Sequence, residues 1–295
     1  MKITLLVFVS ILGSYSFIAA QELSLDSLSP GLNKIHIKHH GDSRRLLITA
    51  PTSFESGTRY ATLLCFHGAG GKADGQSIRW GRHADSRNLL VVSCEAIQPM
   101  AKWNFKDQFH DIDHDDVGFV TGVIEALVAA RVTDPQTIYA TGHSSGGLFC
   151  YRLAKQTDFF AALAPMSCGM AKGDHTPEEG TQPVSIFQVI GDQDKSFHGS
   201  SNPKVTMYSA DKRINIWRMF NQCDAQPTIN QPFEKITLRT YGNAHDIEVV
   251  LCTVAGEGHH IRHDLRDKAD RIALDFLMNH RRNADHKQDK YNPNE

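Results

Sequence analysis

The sequence predicts a mostly parallel, doubly wound α/β sheet that opens with an antiparallel N-terminal hairpin. Short apolar or alternating runs at 59–66, 89–93, 137–141, 160–166, 184–190 and 246–254 have the composition of strands. Between them fall amphipathic helical periods, at 76–88, 117–128, 209–222 and 265–277. Strands alternating with helices require a sheet covered on both faces. A further observation is the stretch 137–148, where a strand runs through Gly142-His143-Ser144-Ser145-Gly146 directly into a helical period. A glycine two residues to either side of Ser144 lets strand and helix approach without Cβ clashes and projects the hydroxyl clear of the sheet. The duller reading of the same residues is a strand-to-helix turn with a capping serine.

In chain order, Lys34–Lys38 alternates apolar and polar, and Arg45–Thr49 follows a Gly41-Asp42 turn, which gives the hairpin. Arg59–Phe66 is a strand ending in His67-Gly68-Ala69-Gly70-Gly71. A helix at 76–88 precedes Leu89–Ser93, whose continuous apolar character suits a buried parallel strand. The His/Asp-rich loop from Glu95 to His114 carries Met100, Trp103 and Phe105. Asp115 or Asp116 caps the next helix, striped by Val117, Val120, Ile124, Leu127 and Val128. Strands Phe160–Met166 and Val184–Ile190 flank a loop, and Gly191-Asp192-Gln193-Asp194 closes the second. A polar loop at 195–207 leads to a helix at 209–222. Glu234–Tyr241 and Asp246–Val254 alternate as a strand pair, ending in Gly256-Glu257-Gly258-His259. Leu265, Ala269, Ile272, Phe276 and Leu277 mark the last helix. No internal repeat or long linker divides the chain.

The 295 residues are 41% hydrophobic, enough for a sizeable core, and the net charge of −2 gives no reason to expect a nucleic acid or an anionic membrane as partner. Residues 1–20 read as a secretory signal, with Lys2, an apolar run from Ile3 to Ala19 and a small-residue site at Ala19-Ala20. The alternative of an uncleaved anchor is weakened by Ser10, Ser14 and Ser16. The tail 283–295 is polar and aperiodic and is expected to be disordered. That leaves 21–282 as one domain, secreted to the periplasm or the extracellular space. Cys65, Cys94, Cys150 and Cys252 lie in apolar patterns and should pack as small hydrophobes, whereas Cys168 and Cys223 sit at element ends as candidates for a bridge.

A serine hydroxyl becomes a nucleophile only when a base takes its proton and an acid holds that base in the right tautomer. Ser144, Asp194 and His259 follow three strands in the order nucleophile, acid, histidine, which is the order of the α/β-hydrolase fold. Asp192 competes with Asp194 as the acid. His259, with His260 or His263, is alternatively a metal site, against which stands the lack of an H-E-x-x-H pattern; no metal is expected. The amides of Ser145 and of Ala69, in the loop 67–71, are the expected oxyanion donors. His67 and His143 flank glycines and read as supporting residues rather than bases, with His143 on the substrate-binding side. Trp103 is expected near the strand ends, either stacking on a planar acyl or sugar group or anchoring its own loop.

These residues resemble the secreted polyhydroxybutyrate depolymerase and feruloyl esterase-like proteins of the α/β-hydrolases, from about Gly41 to His259. The blocks that carry the resemblance are Cys65-Phe66-His67-Gly68, Trp103-Asn104, Asp115-Asp116-Val117-Gly118-Phe119, the run from Ile138 to Gly147, Phe160–Pro165 and Gly256-Glu257-Gly258-His259. The resemblance implies hydrolysis of carboxylic esters through an acyl-enzyme, without metal or organic cofactor. The leading reading is a secreted serine esterase acting on acyl or hydroxycinnamoyl esters of polysaccharides, or on short polyesters. Two blocks depart from the family: His260-Ile261-Arg262 follows the histidine in place of Thr-Trp-Pro, and Lys195-Ser196-Phe197-His198 follows the acid in place of prolines and valines. A serine peptidase on the same scaffold, or a binding protein that kept it, are the alternatives, because fold alone does not choose between them.

Overall fold

In the computed structural model the described residues are 25, 28–106, 114–201 and 205–282. The segment read as a signal and the tail from 283 lie outside them. The N-terminal hairpin is β1 (Gly31–His39) and β2 (Asp42–Ala50), paired antiparallel. His40 and Gly41 join them with φ of 51° and 90°, the left-handed pair that a two-residue hairpin turn needs. The further strands are β3 (Tyr60–Phe66), β4 (Leu89–Cys94), β5 (Thr133–His143), β6 (Ala162–Met166), β7 (Ser185–Gly191), the short pair β8 (Ser200–Ser201) and β9 (Thr206–Met207), then β10 (Thr228–Phe233), β11 (Ile236–Gly242) and β12 (Glu248–Val254). Ten of them form one sheet in the order β1-β2-β4-β3-β5-β6-β7-β12-β11-β10. The run β4-β3-β5-β6-β7-β12 is parallel throughout, and antiparallel strands flank it at both edges.

The helices are α1 (Ala73–Gly81), α2 (Ala84–Arg87), α3 (Asp116–Ala129), α4 (Ser145–Gln156), α5 (Ala210–Phe220) and α6 (His263–Met278). Side chains alternate across a strand, so β3 and β4 feed two cores. Leu64, Phe66, Leu90 and Val92 pack with Phe119 of α3, Phe149 and Leu153 of α4 and Trp217 of α5. Leu63, Cys65, Leu89 and Val91 pack instead with Trp80 of α1 and with Leu265, Leu274 and Phe276 of α6. Burying one such side chain contributes about 1.5–3 kcal/mol, and the two layers hold the sheet from both sides. Among the described residues no helix is long and apolar enough to cross a membrane.

Local differences from the sequence reading have physical causes. The helix expected at 76–88 is two, α1 and α2, parted where the His83 amide turns back to the Trp80 carbonyl at 3.0 Å in a tightened last turn. Of the two candidate caps, Asp115 accepts from the Gly118 amide, while Asp116 is buried against Arg44 at 2.7 Å. Strand β10 carries no apolar alternation, because all six residues are exposed. All six cysteines are buried free thiols. Cys168 meets no bridge partner: its Sγ fills the space a Cβ on Gly147 would need, 2.7 Å away, and Cys223 Sγ sits 3.6 Å from the Ile247 carbonyl.

Candidate active site

Strand β5 delivers the backbone to Ser144 at its carboxyl end, and α4 begins at the next residue. Ser144 has φ 56° and ψ −116°, a conformation that costs a non-glycine residue about 1–3 kcal/mol. The flanking glycines make the turn possible. A Cβ on Gly142 would lie 2.3 Å from the Gly146 carbonyl oxygen, and one on Gly146 would lie 2.3 Å from that of Phe66. Although Ser144 occupies the N-cap position, its side chain makes no cap hydrogen bond. The hydroxyl is instead 3.0 Å from His259 Nε2.

The acid and histidine turns follow adjacent parallel strands, β7 and β12. They interlock, since a Cβ on Gly191 would lie 2.0 Å from the Glu257 carbonyl oxygen, and the Gln193 amide donates to that same oxygen. His259 Nδ1 is 2.9 Å from Asp194 Oδ2. The carboxylate can only accept here, so Nδ1 carries the proton and Nε2 faces Ser144 with its lone pair. Asp194 Oδ1 accepts from both the amide and the hydroxyl of Ser196, each at 2.8 Å. Burial alone would raise the Asp194 pKa, but the hydrogen bonds from His259 and Ser196 override it and hold the value at about 2. The same hydrogen bond, donated to Asp194, outweighs desolvation at His259 and raises its pKa. Asp192, the competing acid, is turned away and accepts from the Gly256 amide at 2.8 Å.

The loop 67–71 passes over Ser144, for a Cβ on Gly68 would lie 3.3 Å from the Ser144 Cβ. His67 is buried and props this loop: Nδ1 donates to the Gly68 carbonyl at 2.7 Å and Nε2 accepts from the Ala96 amide at 3.0 Å. Burial lowers its pKa, so the ring is neutral. The amides of Gly70 and Gly71 are spent on Ala101 and Gly68. Those of Ala69 and Ser145 donate to no protein acceptor among the described residues.

His143 packs between the loop 67–71 and the histidine turn. Burial drives its pKa down to about 4, and its neutral Nε2–H donates to the His259 carbonyl at 3.3 Å. Its ring stacks on His260 with centroids 5.5 Å apart. His259, His260 and His263 do not converge as ligands of one ion, because both His259 nitrogens are engaged and His263 pairs with Asp267 at 3.4 Å.

Trp103 corrects the expectation of a ligand-stacking ring. It is fully buried, stacked on Phe149 at 5.0 Å with an interplanar angle of 10°, edge-on to Phe66, and its indole N–H donates to the His67 carbonyl at 2.9 Å. It anchors its loop beneath His67 and leaves no face for an acyl group. Two supporting residues escaped the sequence reading. Ser196, two positions after Asp194, is a common side-chain turn pattern that could have been found. Arg213 is fully buried and donates to the Ser196 carbonyl at 3.0 Å; it arrives from α5, and no local pattern announces it.

The arrangement of strands and helices matches solved structures of ester hydrolases. The acetyl xylan esterase from Aspergillus awamori superposes with a TM-score of 0.59 at 12% identity, covering 83% of this chain and 98% of that one. The chain has the α/β-hydrolase fold. A second structure of that fold, the poly(3-hydroxybutyrate) depolymerase LpqC from Bordetella parapertussis, superposes at 0.57 with 16% identity, over 85% of this chain and 90% of that one. In sequence, the chain is 30% identical over 146 residues to a protein of Nocardia uniformis subsp. tsuyamanensis that carries the name "Putative esterase NocK". The match takes in 47% of this chain and 42% of that protein's length. No family model matches. The resemblance to esterases and polyhydroxybutyrate depolymerases thus extends from the motifs to the whole fold.

Proposed function

We infer that this α/β-hydrolase is a secreted serine esterase that cleaves carboxylic esters through an acyl-enzyme. The observation that carries the reading is the chain of hydrogen bonds Ser144 Oγ–His259 Nε2 at 3.0 Å and His259 Nδ1–Asp194 Oδ2 at 2.9 Å. As Ser144 Oγ attacks the ester carbonyl, His259 Nε2 takes its proton, and Asp194 stabilises the imidazolium that forms. The negative charge developing on the carbonyl oxygen is held by the Ser145 and Ala69 amides, at the start of α4 where the helix dipole is positive. Collapse expels the alcohol, which leaves with the proton from His259. Water then repeats the sequence on the acyl-serine, and the carboxylic acid departs. No step draws on a metal or an organic cofactor.

The substrate class favoured is a short acyl ester carried on a polymer, such as an acetylated polysaccharide or a short polyester. His259 is 43% exposed, so the reacting centre lies at the surface, where a polymer chain can reach it. The acetyl xylan esterase likeness points the same way. Hydroxycinnamoyl esters lose their main support, since the one aromatic proposed to bind them is buried. Export rests on the leader-like residues 1–20.

The deciding experiment measures hydrolysis of p-nitrophenyl acetate, acetylated xylan, methyl ferulate, polyhydroxybutyrate and a peptide anilide by the parent and by Ser144→Ala. The parent should act on the acetyl esters, and the substitution should cost on the order of 10⁶ in turnover and abolish fluorophosphonate labelling. A Ser144→Ala protein that keeps more than a few per cent of the rate sinks the assignment. Cleavage of the anilide alone transfers the site to peptides.

A further inference from the structure

We propose that the turn of the β1–β2 hairpin and the first residue before α3 form a binding site for one transition-metal ion, held by His39, His40 and Asp115. On a regular strand His39 and His40 would point to opposite faces. The positive φ of His40, 51°, breaks that alternation and brings the two rings to the same side, 4.4 Å apart. Both present Nε2 to one oxygen: Asp115 Oδ2 is 3.4 Å from His39 Nε2 and 3.9 Å from His40 Nε2. The three atoms all lie within 4.8 Å of one another. Ligands about 2.0–2.1 Å from a tetrahedral ion sit about 3.3 Å apart, so side-chain adjustments of an ångström or so close the site.

Independent features support an ion here over a chance cluster. His39 Nε2 is a buried atom without a hydrogen-bond partner, a state that normally asks for an explanation. Asp115 Oδ1 accepts from the Gly118 amide at 2.8 Å, which fixes the carboxylate and leaves Oδ2 aimed at the rings. The His39 ring is braced edge-on by Phe119, 6.0 Å away. Two imidazoles and a carboxylate select zinc, nickel, cobalt or copper over calcium or magnesium, which take oxygen ligands. His40 and Asp115 side chains are 62% and 48% exposed, so water completes the coordination.

The ion's effect is structural. It ties the hairpin turn to the start of α3, whose next residue, Asp116, holds Arg44 at 2.7 Å and the Asn104 amide at 2.7 Å. Asn104 follows Trp103, the anchor of the loop that lies under His67. None of the three ligands is among the residues assigned to ester hydrolysis, so this site stands whether or not that assignment does.

The test uses full-length protein stripped with chelator and then dialysed against zinc chloride at tens of micromolar. One zinc per chain should be retained, and Tm should rise by about 5 °C at saturation; magnesium should do neither. His39→Ala/His40→Ala should lose the bound zinc and the Tm response, and His39→Gln/His40→Asn, which suits the turn, repeats the comparison should the first variant fold poorly. The rate on p-nitrophenyl acetate should match the parent in both. The site is overturned by failure of the parent to take up stoichiometric zinc. It is equally overturned by undiminished uptake in the folded double variants, which would place the ion on other histidines such as His143 or His260.

Discussion

His259 Nδ1 donates at 2.9 Å to Asp194 Oδ2, a carboxylate that is 3% exposed and already accepts twice from Ser196. The pair binds protons differently in the folded and unfolded chain, and its two members act on opposite sides. The folded His259 pKa lies above its ordinary 6.5, so its stabilising contribution is complete below pH 6.5 and is lost as pH rises through the folded value. The folded Asp194 pKa, about 2, lies below its ordinary 3.8, so its contribution is present above 3.8 and is lost as pH falls toward 2. Stability from the pair is therefore greatest between about pH 4 and 6.5. The proposed ester hydrolysis needs neutral His259 and should rise with pH through the raised value. Melting temperature and kcat/KM measured over pH 4–9 should move in opposite directions above 6.5; a parallel rise of both would contradict this account.

Asp194→Asn should abolish that opposition. Without the carboxylate the His259 pKa falls, the activity inflection moves to lower pH, and kcat drops by about 10⁴ because the amide favours the wrong tautomer. Asp192→Asn keeps an oxygen for the Gly256 amide and should stay within about threefold of the parent. A more damaging Asp192 change would transfer the acid's role to that residue.

Gly146→Ala should be among the most disruptive single methyl additions. The new Cβ would meet the Phe66 carbonyl oxygen at 2.3 Å and the His67 carbonyl oxygen at 2.7 Å. Both are backbone atoms of β3 and the loop beyond it, so neither can swing aside. Overpacking of this kind costs about 1–3 kcal/mol, and the displaced α4 carries the Ser145 amide with it. Urea unfolding and p-nitrophenyl acetate hydrolysis should both be impaired. Gly122→Ala, which meets nothing within 4 Å, is the control and should be neutral or slightly stabilising, as alanine is the better helix former.

The strands, the order of the three polar groups and the Gly-flanked turn were legible in the sequence because each is written locally, in alternation, in β-branched content or in a glycine at fixed spacing. The partners that tune the site were not. Arg213 reaches Ser196 from α5, and Arg44 reaches Asp116 from β2, across sequence distances that no periodicity encodes. The loop that carries Trp103 is legible, yet whether its ring faces the core or a ligand depends on Phe149 and Phe66 lying against it. Strand β10 was invisible because both its faces are wet and it carries no apolar signal.

Chelation separates the proposed ester chemistry from the proposed metal site. In the proposed mechanism Ser144, His259 and Asp194 complete proton transfer among themselves, so EDTA should leave the initial rate on p-nitrophenyl acetate unchanged at 25 °C. The same treatment should lower the melting temperature if the protein was purified with zinc on the hairpin. A prompt loss of rate at a temperature where the fold is intact would bring an ion into the reaction itself.

Trp103 supplies the last prediction. Its ring is enclosed by Phe149 and Phe66 and its N–H is donated to the His67 carbonyl. Trp103→Ala removes that packing, at about 3–5 kcal/mol for a buried aromatic, and frees the strand-end carbonyl that begins the loop carrying Ala69. The outcome expected is a lowered melting temperature with equal loss of kcat/KM on p-nitrophenyl acetate and methyl ferulate, because the proposed oxyanion donors shift for every ester alike. Trp103→Phe refills most of the space but leaves the His67 carbonyl without its donor, at a cost of about 1–3 kcal/mol, and should fall between the two. A ring that touched the acyl group would give a different pattern: a loss of tenfold or more on the ferulate, little on the acetate, and an unchanged melting temperature. That result would require the loop to open in solution and return Trp103 to the substrate.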